Sequence, residues 1–531
     1  MVVPDSVAQV LDASLAPDFS SDDLAWDPAS EVRVALSDSG SSGGAGVSVE
    51  GSTVTITRPG TYRVSGTLTD GQLAVDGAGA GVVRIVLDQA AITNSRSSAL
   101  VAKGVDKLIV LTAQGTENTL TDATAYVYPD DETEPDAALF STVDTVIGGE
   151  GELAVNGRFA DAVASKDGLV VAGGTLDLAA VDDGLRGRDY LVVSGGKLTV
   201  ASGGQGLKST NDSDEGAGYV LVSGGSVDVT TGGTKSDCVN AVTNALFTAG
   251  TMTLSCTDDG VHADKLLMVD GGDLTIANSY EGLESAVVVV SGGRVDVTSA
   301  DDGINATDGS GSGGGGPAGQ RPGGAPDGIP SWQPGAAPGE FQPGGRRPAD
   351  VPDAAPSDVP GGFPDAAPGA GTRPRGGQGG GGRGGGEAVE NATVVIRGGE
   401  VSLNSGGDGL DSNGTMSISG GVTIASGANR AGDGALDSNG AFLVSGGTVA
   451  GIGSTGMLRT PDEASPQEWF SQATTIDAGD KITIKTNNST FEFTAAKPAQ
   501  NIVFTSPDLA SGGVVLTVGD AAPITPECHG G

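Results

Sequence analysis

Apolar and polar residues alternate along much of this chain, and the alternating segments recur as one repeated unit. "YLVVSGGKLTVASGGQGLKS", "LLMVDGGDLTIANSYEGLES", "AVVVVSGGRVDVTSADDGINA" and "ATVVIRGGEVSLNSGGDGLDS" are versions of this unit. Each version has two short alternating segments separated by a Gly-Gly pair, then a third short segment. Alternation places every second side chain on one face of a strand. The pattern predicts three strands per unit, with Leu191, Val193, Leu198 and Val200 on one apolar face.

A single unit of this size cannot bury its apolar face alone, but stacked units bury it continuously. Three strand segments without a helical period fit a parallel β-helix better than a leucine-rich repeat, whose units carry a helix or a 3₁₀ segment. We therefore predict an all-β fold, a parallel β-helix solenoid with coils of about 21 residues.

An acidic position stands at a fixed distance from the glycine pair of each unit. Nine residues after Gly174, Gly250, Gly272, Gly293 and Gly399 the chain has an acid, and after Gly196 it has Gln205. A three-residue insertion lengthens the distance to twelve between Gly225 and Asp237 and between Gly421 and Asp433. The constant spacing predicts a column of side chains along the stack.

Stacked carboxylates require a positive partner. Neighbouring strands lie about 4.8 Å apart, where two unit charges repel by roughly 3 to 4 kcal/mol at an effective dielectric of 20. Lysine or arginine could provide the charge, but basic residues are scarce in this chain. Calcium suits the site better, because it accepts six to eight oxygen ligands in flexible geometry, whereas magnesium is stricter and zinc prefers Cys and His. Asp-Gly is also a favoured turn dipeptide, but turn chemistry does not explain the doubled acids or a Glu. The predicted calcium ligands are Asp182, Asp183, Asp237, Asp258, Asp259, Glu281, Asp301, Asp302, Asp408, Asp411, Asp433 and Asp437.

Three residues after the acid lies a column of varied charge, which the alternation places on the solvent side. Its members are Arg186, Lys208, Asn240, His262, Glu284, Asn305 and Asp411. Because charged and amide side chains can bind sugar hydroxyls, five are candidate carbohydrate-binding residues, namely Arg186, Lys208, Asn240, His262 and Asn305.

The composition divides the chain into five segments. A Gly/Pro-rich stretch that cannot bury enough apolar surface to order itself interrupts the repeat, and strongly alternating segments after "PQEWF" could cover the open end of the stack. We expect a poorly ordered arm at 1–45, the first part of the β-helix at 46–306, a disordered insertion at 307–386, the resumed β-helix at 387–460 and a C-terminal β cap at 461–531.

The charge balance excludes some partners. The 531 residues include 67 acidic and 28 basic side chains, a formal charge of −39, which disfavours nucleic acid. No apolar run is long enough to cross a bilayer. Three cysteines do not define a disulfide framework, although Cys238 and Cys256 lie close enough in sequence to pair. The start "MVVPDSVAQV" lacks the features of a secretory signal, so either the protein is cytoplasmic or the signal is absent from this version of the sequence.

Several segments together resemble a known family. "GTYRVSGTLTDGQLAVDG", "TENTLTD", "VASKDGLVVAGGTLDLAAVDDGLRGRD" and "GGQGLKSTND" are similar to the bacterial carbohydrate-binding β-helix proteins, typified by a clostridial cellulose- and pectin-binding surface protein. The resemblance implies a right-handed helix, calcium between coils, secretion or lipoprotein anchoring, and binding of cellulose-like or polygalacturonate polymers. It assigns calcium to Asp182, Asp183, Asp258, Asp259, Asp301 and Asp302. "FADAVAS" near Asp161 and the long insertion depart from the family pattern.

Three functions remain open from the residues. The preferred one is a non-catalytic, monomeric, extracellular or cell-surface protein that binds polysaccharide. It would use polar ladders, because the chain has only Trp26, Trp332 and Trp469 as tryptophans. The second is a calcium-dependent polysaccharide lyase with Arg186, Arg188 or Lys208 as base. The third is a surface adhesin or spacer.

Overall fold

The computed structural model describes residues 3–77, 79–128, 133–307, 388–430 and 432–530. Apart from Thr307, the predicted insertion at 307–386 lies outside them. Helices are few and short: α1 is Val7–Leu11, and 3₁₀ turns occupy Ser21–Leu24, Pro28–Ser30 and Pro507–Ser511. In the described residues, none of these helices has the length and apolar character needed to span a bilayer.

Strands make up most of the described chain. The first part contains β1 Val32–Ser37, β2 Ser42–Gly43, β3 Val47–Glu50, β4 Thr53–Ile56, β5 Gly60–Leu68, β6 Gln72–Val75, β7 Gly79–Thr93, β8 Leu100–Ala102, β9 Val105–Thr112, β10 Glu117–Thr121, β11 Ala137–Ser141, β12 Asp144–Gly149, β13 Glu152–Gly157 and β14 Asp161–Ser165. The repeated units contain β15 Gly168–Ala180, β16 Leu185–Gly187, β17 Tyr190–Ser202, β18 Leu207–Ser209, β19 Tyr219–Val222, β20 Ser226–Thr231, β21 Val239–Ala241, β22 Asn244–Phe247, β23 Thr251–Ser255, β24 Val261–Val269, β25 Asp273–Asn278, β26 Leu283–Val290, β27 Arg294–Ser299 and β28 Ile304–Ala306.

The strands that follow the predicted insertion resume the repeat and then end it. They are β29 Thr393–Ile396, β30 Glu400–Ser405, β31 Leu410–Ser412, β32 Thr415–Ser426, β33 Phe442–Gly453, β34 Trp469–Ile476, β35 Lys481–Lys485, β36 Thr490–Thr494, β37 Ala499–Thr505 and β38 Val515–Val518.

Each repeat pairs in parallel with the repeat before it and the repeat after it, in three columns of strands. The first column aligns Leu169, Leu191, Val220, Ala245, Leu267 and Val288. The second aligns Leu176, Leu198, Val227, Met252, Leu274 and Val295. The third aligns Leu185, Leu207, Val239, Val261, Leu283, Ile304 and Leu410. All these side chains are buried in one elongated hydrophobic core, which the three columns enclose.

The all-β prediction is confirmed, but the predicted right-handed parallel β-helix solenoid with coils of about 21 residues is wrong. The parallel strands close around the core in a single 35-stranded sheet. Their spacing is not uniform, because the interval in sequence from Leu191 to its partner Val220 is longer than the interval from Leu267 to its partner Val288. Extra antiparallel strands join both ends, where β1 pairs with β2 and β33 with β37. They provide partners for backbone groups that an open stack would leave exposed.

The described part of the N-terminal arm is ordered, contrary to the sequence expectation. Val7 and Val10 of α1 are buried against outward-facing residues of the first strand column, such as Val192 and Leu221. The Val7 amide donates to Asp270 Oδ2 at 2.6 Å, and the Leu15 amide donates to the Gly216 carbonyl at 2.9 Å. The arm therefore covers an apolar stripe on the outside of the sheet.

Candidate functional site

A ladder of side-chain oxygens links successive repeats at the predicted acidic position. The backbone N–H of Asp183 donates to Asp161 Oδ1 at 3.0 Å, and the Gln205 N–H donates to Asp183 Oδ1 at 2.8 Å. The same bond joins Asp259 to Asp237 at 3.0 Å. Buried backbone amides need an acceptor, and a short side chain in the turn provides it. We call Asp161, Asp183, Gln205, Asp237, Asp259, Glu281, Asp302 and Asp408 the acid column.

The ladder needs an oxygen but not a charge. Gln205, which interrupts the acids in the sequence, continues the ladder because its amide oxygen accepts from the Asp237 N–H. The second oxygen of each neighbouring carboxylate bonds another side chain. The negative charge of the column therefore requires a separate explanation.

That explanation begins with the column predicted to face solvent, which instead turns toward the acids. Arg186 Nε lies 2.7 Å from Asp161 Oδ2, and its Nη2 lies 2.7 Å from Asp136 Oδ2. Lys208 Nζ lies 2.8 Å from Asp183 Oδ2. We call these residues, with those that align with them, the partner column. Its positive members form ion pairs with acids of the column within the protein.

Two amide side chains continue the partner column without a charge. Asn240 Nδ2 donates to Asp237 Oδ2 at 2.7 Å, and Asn305 Nδ2 donates to Glu281 Oε2 at 2.9 Å. Asn305 is only 8% exposed. Both side chains are therefore used within the two columns.

His262 is a cation in the same column. Its Nδ1 lies 2.9 Å from Glu284 Oε2, and its Nε2 lies 3.1 Å from Asp264 Oδ1. Burial alone would lower the pKa of His262, but hydrogen bonds to Asp259 and Glu284 raise it to about 11. The imidazolium therefore persists at neutral pH.

The partner column also has acidic members. Glu284 is paired with His262, whereas the members after the predicted insertion are both acids. Asn305 aligns with Asp411, and the bridge between Leu410 and Leu436 brings Asp437 into the same register. Carboxylate oxygens of Asp408, Asp411 and Asp437 lie within 4.8 Å of one another. In the described parts of the chain, no lysine or arginine lies within ion-pair distance of these three residues. We call them the C-terminal carboxylate cluster.

The protonation of this cluster reflects its burial. Burial, with the nearby charge of Asp302, raises the pKa of Asp408 to about 9. Burial and the charge of Glu281 raise the pKa of Asp302 to about 8. The pKa of Asp411 is well above its ordinary value, chiefly because of burial. Charged carboxylates here are unfavourable unless a cation joins them.

A buried amide oxygen adjoins the cluster in register. Asn305 aligns with Asp411, and its Oδ1 is buried and has no hydrogen-bond partner. A buried acceptor without a partner is unusual in a native structure. Carboxylate and amide oxygens are donors that calcium prefers.

The other predicted ligands are placed less favourably for a metal. Asp161, exposed Asp182 and Asp183 form a second acidic group, but Arg186 pairs with Asp161 and Lys208 pairs with Asp183. His262 Nδ1 lies 3.7 Å from Asp259 Oδ2.

The remaining predicted ligands lie elsewhere. Asp258 and Asp301 are half-buried neighbours of the column. Asp408 accepts a hydrogen bond from the Gly434 N–H, so Asp433 lies one position out of register with the acid column. Asp433 instead forms an ion pair with Arg430.

Sequence reasoning missed one member of the acid column. In the sequence Asp161 stands out only as a departure from the family pattern, yet it accepts the Asp183 amide and binds Arg186. A signal was present, since Asp161 follows the second glycine of the pair at Gly149 by twelve residues, the spacing also found before Asp237.

Comparison with known proteins gives three results. The profile of a family described as carbohydrate-binding domain-containing protein matches residues 50–318, which are 269 of the 531 residues. A protein of the same description from Acetivibrio thermocellus is 37% identical over 136 residues, covering 25% of this chain and 48% of that relative. The chain thus spans about half the length of the curated relative. A solved structure of a polysaccharide lyase-like protein from C. thermocellum, a gadolinium derivative, is 29% identical and covers 46% of this chain and 98% of its own, with a TM-score of 0.44.

Proposed function

Because this chain belongs to the family of carbohydrate-binding domain-containing proteins, we propose that it is an extracellular, calcium-stabilised protein that binds polysaccharide without cleaving it. The polymer is of the cellulose or pectin class. The observation that carries the calcium part is the reversal of charge in the partner column. Arg186, Lys208 and His262 form ion pairs with acids of the early repeats, whereas Asp411 and Asp437 occupy partner-column positions in the last repeats and add negative charge beside Asp408.

The residues at the C-terminal carboxylate cluster fit calcium. Asp408, Asp411 and Asp437 offer carboxylate oxygens, and Asn305 offers a buried amide oxygen. These are hard oxygen donors, and none is the sulfur or imidazole ligand that zinc prefers. A calcium ion would neutralise the buried carboxylates and hold consecutive repeats together.

The contacts of the candidate bases favour binding over catalysis. A lyase base must lose its proton near the working pH. Burial opposes the charge of Arg186, but the carboxylates of Asp161 and Asp136 raise its pKa above the ordinary value. Lys208 is held by buried Asp183. The acids repeat along the stack as ladder acceptors, which is unlike a single pair of catalytic carboxylates.

The predicted sugar contacts would be made by groups already in use. Side chains of Arg186, Lys208 and His262 are 15 to 29% exposed and bonded to carboxylates. Arg186 and Lys208 can therefore offer only their remaining donors to a sugar, and both ring nitrogens of His262 are already bonded to carboxylates. With a net charge of −39, the protein would bind a uronic polymer only where a cation bridges the two.

A disulfide supports the extracellular part of the proposal. The sequence left open whether Cys238 and Cys256 pair. They form a disulfide, with Cα atoms 5.5 Å apart. Both are buried in the core. Structural disulfides persist in oxidising compartments and are rare in the cytosol.

A glycan array tests the proposal. The purified chain is applied to neutral and uronic polysaccharides with calcium and again with chelator. Unsaturated uronates, the products of a lyase, are followed by their ultraviolet absorbance. We expect retention on a cellulose- or pectin-class polymer that falls with chelation, and no absorbance change. A rise in absorbance would instead support the lyase. If the protein were retained on none of the polymers, the remaining alternative would be a surface adhesin or spacer.

A further inference from the structure

Aromatic side chains are scarce in this protein, and most described ones serve the interior. Aromatics make up 4% of the sequence. Tyr62, Tyr190 and Tyr219 are buried at 2% exposure or less. Phe19 and Trp26 pack the N-terminal arm onto the sheet, and the phenylalanines of the C-terminal strands pack with one another.

Three rings break this rule and meet at the surface. Tyr126 and Phe159 stack with ring centroids 4.3 Å apart and planes inclined by 19°. Tyr128 lies 5.9 Å from Tyr126 and 6.2 Å from Phe159. All three are half-buried, and Val127 between the tyrosines is 72% exposed. We call Tyr126, Tyr128 and Phe159 the aromatic cluster.

The hydroxyls fix the two tyrosine rings. Tyr126 Oη donates to Asp122 Oδ2 at 2.7 Å, and Tyr128 Oη donates to the Pro135 carbonyl at 2.7 Å. Asp122 is 1% exposed. Anchored rings lose little conformational freedom when a ligand binds. A half-exposed ring fixed in this way is preorganised for contact.

The aromatic cluster lies beside the beginning of the acid column. Phe159 is two residues before Asp161, and Asp136, eight residues after Tyr128 in the sequence, binds Arg186. Arg158, next to Phe159, is exposed. Apolar rings therefore adjoin a charged edge at the beginning of the acid column.

We propose that the aromatic cluster is a sugar-binding subsite, at which one pyranose ring of a polysaccharide chain packs its C–H face on the ring of Phe159 and contacts the ring of Tyr128, which is inclined by 67° to it, from the side. Exposed Arg158 donates to the sugar's hydroxyl or carboxylate oxygens. Aromatic surfaces with a few polar groups at their edge suit a ligand that has one apolar face and a polar rim. The inference rests on the proposed carbohydrate binding and adds a location for it.

The test compares variants of the cluster with a matched ring elsewhere. Phe159→Leu keeps apolar volume but removes the ring, and Tyr128→Ala removes a ring whose shape Tyr128→Phe retains. Phe491→Leu is the control, since Phe491 is also half-buried but belongs to the C-terminal strands. Affinity for the retained polysaccharide is measured by calorimetry in calcium, with thermal midpoints taken alongside.

We expect Phe159→Leu and Tyr128→Ala to weaken binding by roughly tenfold, which corresponds to about 1.4 kcal/mol, while Tyr128→Phe and Phe491→Leu bind within about twofold of the parent. Equal affinities across all variants would overturn the subsite and leave carbohydrate binding intact. Equal weakening in Phe491→Leu would also overturn it. A parent protein that binds no polysaccharide would instead refute the proposed function.

Discussion

At the scale of single residues, the acid column combines two roles that the sequence does not separate. One carboxylate oxygen accepts a backbone amide of the next repeat, a role that neutral Gln205 also performs. The other oxygen meets the partner column, as Asp183 Oδ2 meets Lys208. Replacing one acid by an amide should therefore remove the charge and keep the ladder.

The calcium assignment predicts the behaviour of Asp408→Asn. The asparagine oxygen can still accept the Gly434 N–H, so the variant should fold and, in chelator, be at least as stable as the parent. A ligand present at 100 times its dissociation constant stabilises by about 2.7 kcal/mol. We expect calcium to raise the thermal midpoint of the parent and to lose more than half of that effect in Asp408→Asn, measured by scanning calorimetry.

Asp183→Asn is the matched control. Asp183 accepts an equivalent amide, but Lys208 neutralises it. The variant should lose ~1–3 kcal/mol through the broken charged bond and keep the full calcium effect. If both variants lost the calcium effect equally, the ion would not be localised at the C-terminal carboxylate cluster.

Asp408 of the C-terminal carboxylate cluster and the nearby Asp302 predict how stability depends on pH without calcium. Burial raises the pKa of Asp408 to about 9 and of Asp302 to about 8, whereas the ordinary value is 3.8. Between about pH 4 and 9 the folded protein therefore retains protons that the unfolded chain has released, so stability falls as pH rises.

Thermal midpoints at about pH 5, 7 and 8.5 measure this dependence. In chelator the midpoint should fall across the series, and calcium should reduce the fall because it binds the deprotonated carboxylates. Asp408→Asn should also reduce it. A midpoint that rises with pH in chelator would contradict the raised pKa values.

At the scale of elements, the Gly-Gly turns explain the regular spacing of the repeat. The second glycine of each pair has positive φ, for example +82° at Gly272 and +74° at Gly293. A Cβ added at Gly293 would lie 2.5 Å from the Gly272 carbonyl oxygen of the preceding repeat. The turns therefore stack backbone on backbone, and only glycine fits.

Gly293→Ala should destabilise the protein by about 2 kcal/mol or more, since left-handed φ costs ~1–2 kcal/mol and the close contact adds to it. Gly115→Ala is the control, because Gly115 has φ +70° but no neighbour within 4 Å of an added Cβ. It should lose about 1 kcal/mol. Urea unfolding measures both, and equal losses would mean that the stacked turns contribute no close contact.

What the sequence could predict was local and periodic. The alternation and glycine spacing gave the strands, the three inward columns and most of the acid column, because these depend on neighbours fixed in sequence. The aromatic cluster joins a loop residue, Tyr128, to Phe159, which is distant in sequence, so no spacing could have identified it. The direction of the partner-column side chains was also predicted wrongly, toward solvent. Alternation alone does not reveal that Arg186 turns back to Asp161 and Asp136.

The closing of the sheet also depends on contacts between residues that are distant in sequence. The sequence predicts a C-terminal β cap at 461–531 but not its partner, and in the structure antiparallel β37 pairs with the last parallel strand, β33. The N-terminal arm covers an outer stripe that is remote in sequence, through contacts such as Val7 with Asp270. Such end effects depend on tertiary partners that a repeat pattern does not encode.

At the scale of the whole molecule, a net charge of −39 opposes compact folding by self-repulsion. This repulsion and the buried cluster should respond differently to salt. Exposed charges are screened, because the Debye length falls from about 10 Å at 0.1 M to about 3 Å at 1 M. Buried carboxylates are screened much less, so dissolved salt ions around the protein do not substitute for a calcium ion bound among them.

Raising NaCl from about 0.05 to 0.5 M in chelator should therefore raise the thermal midpoint, while the further increase on adding calcium should persist at the higher salt. Magnesium at equal concentration should give a smaller increase, because it gives up its waters reluctantly and needs stricter geometry. Scanning calorimetry over the four combinations of salt and calcium separates the two effects. If high NaCl abolished the calcium increment, calcium would be acting as a general counterion to the −39 charge and not as a ligand-bound ion between Asp408, Asp411 and Asp437.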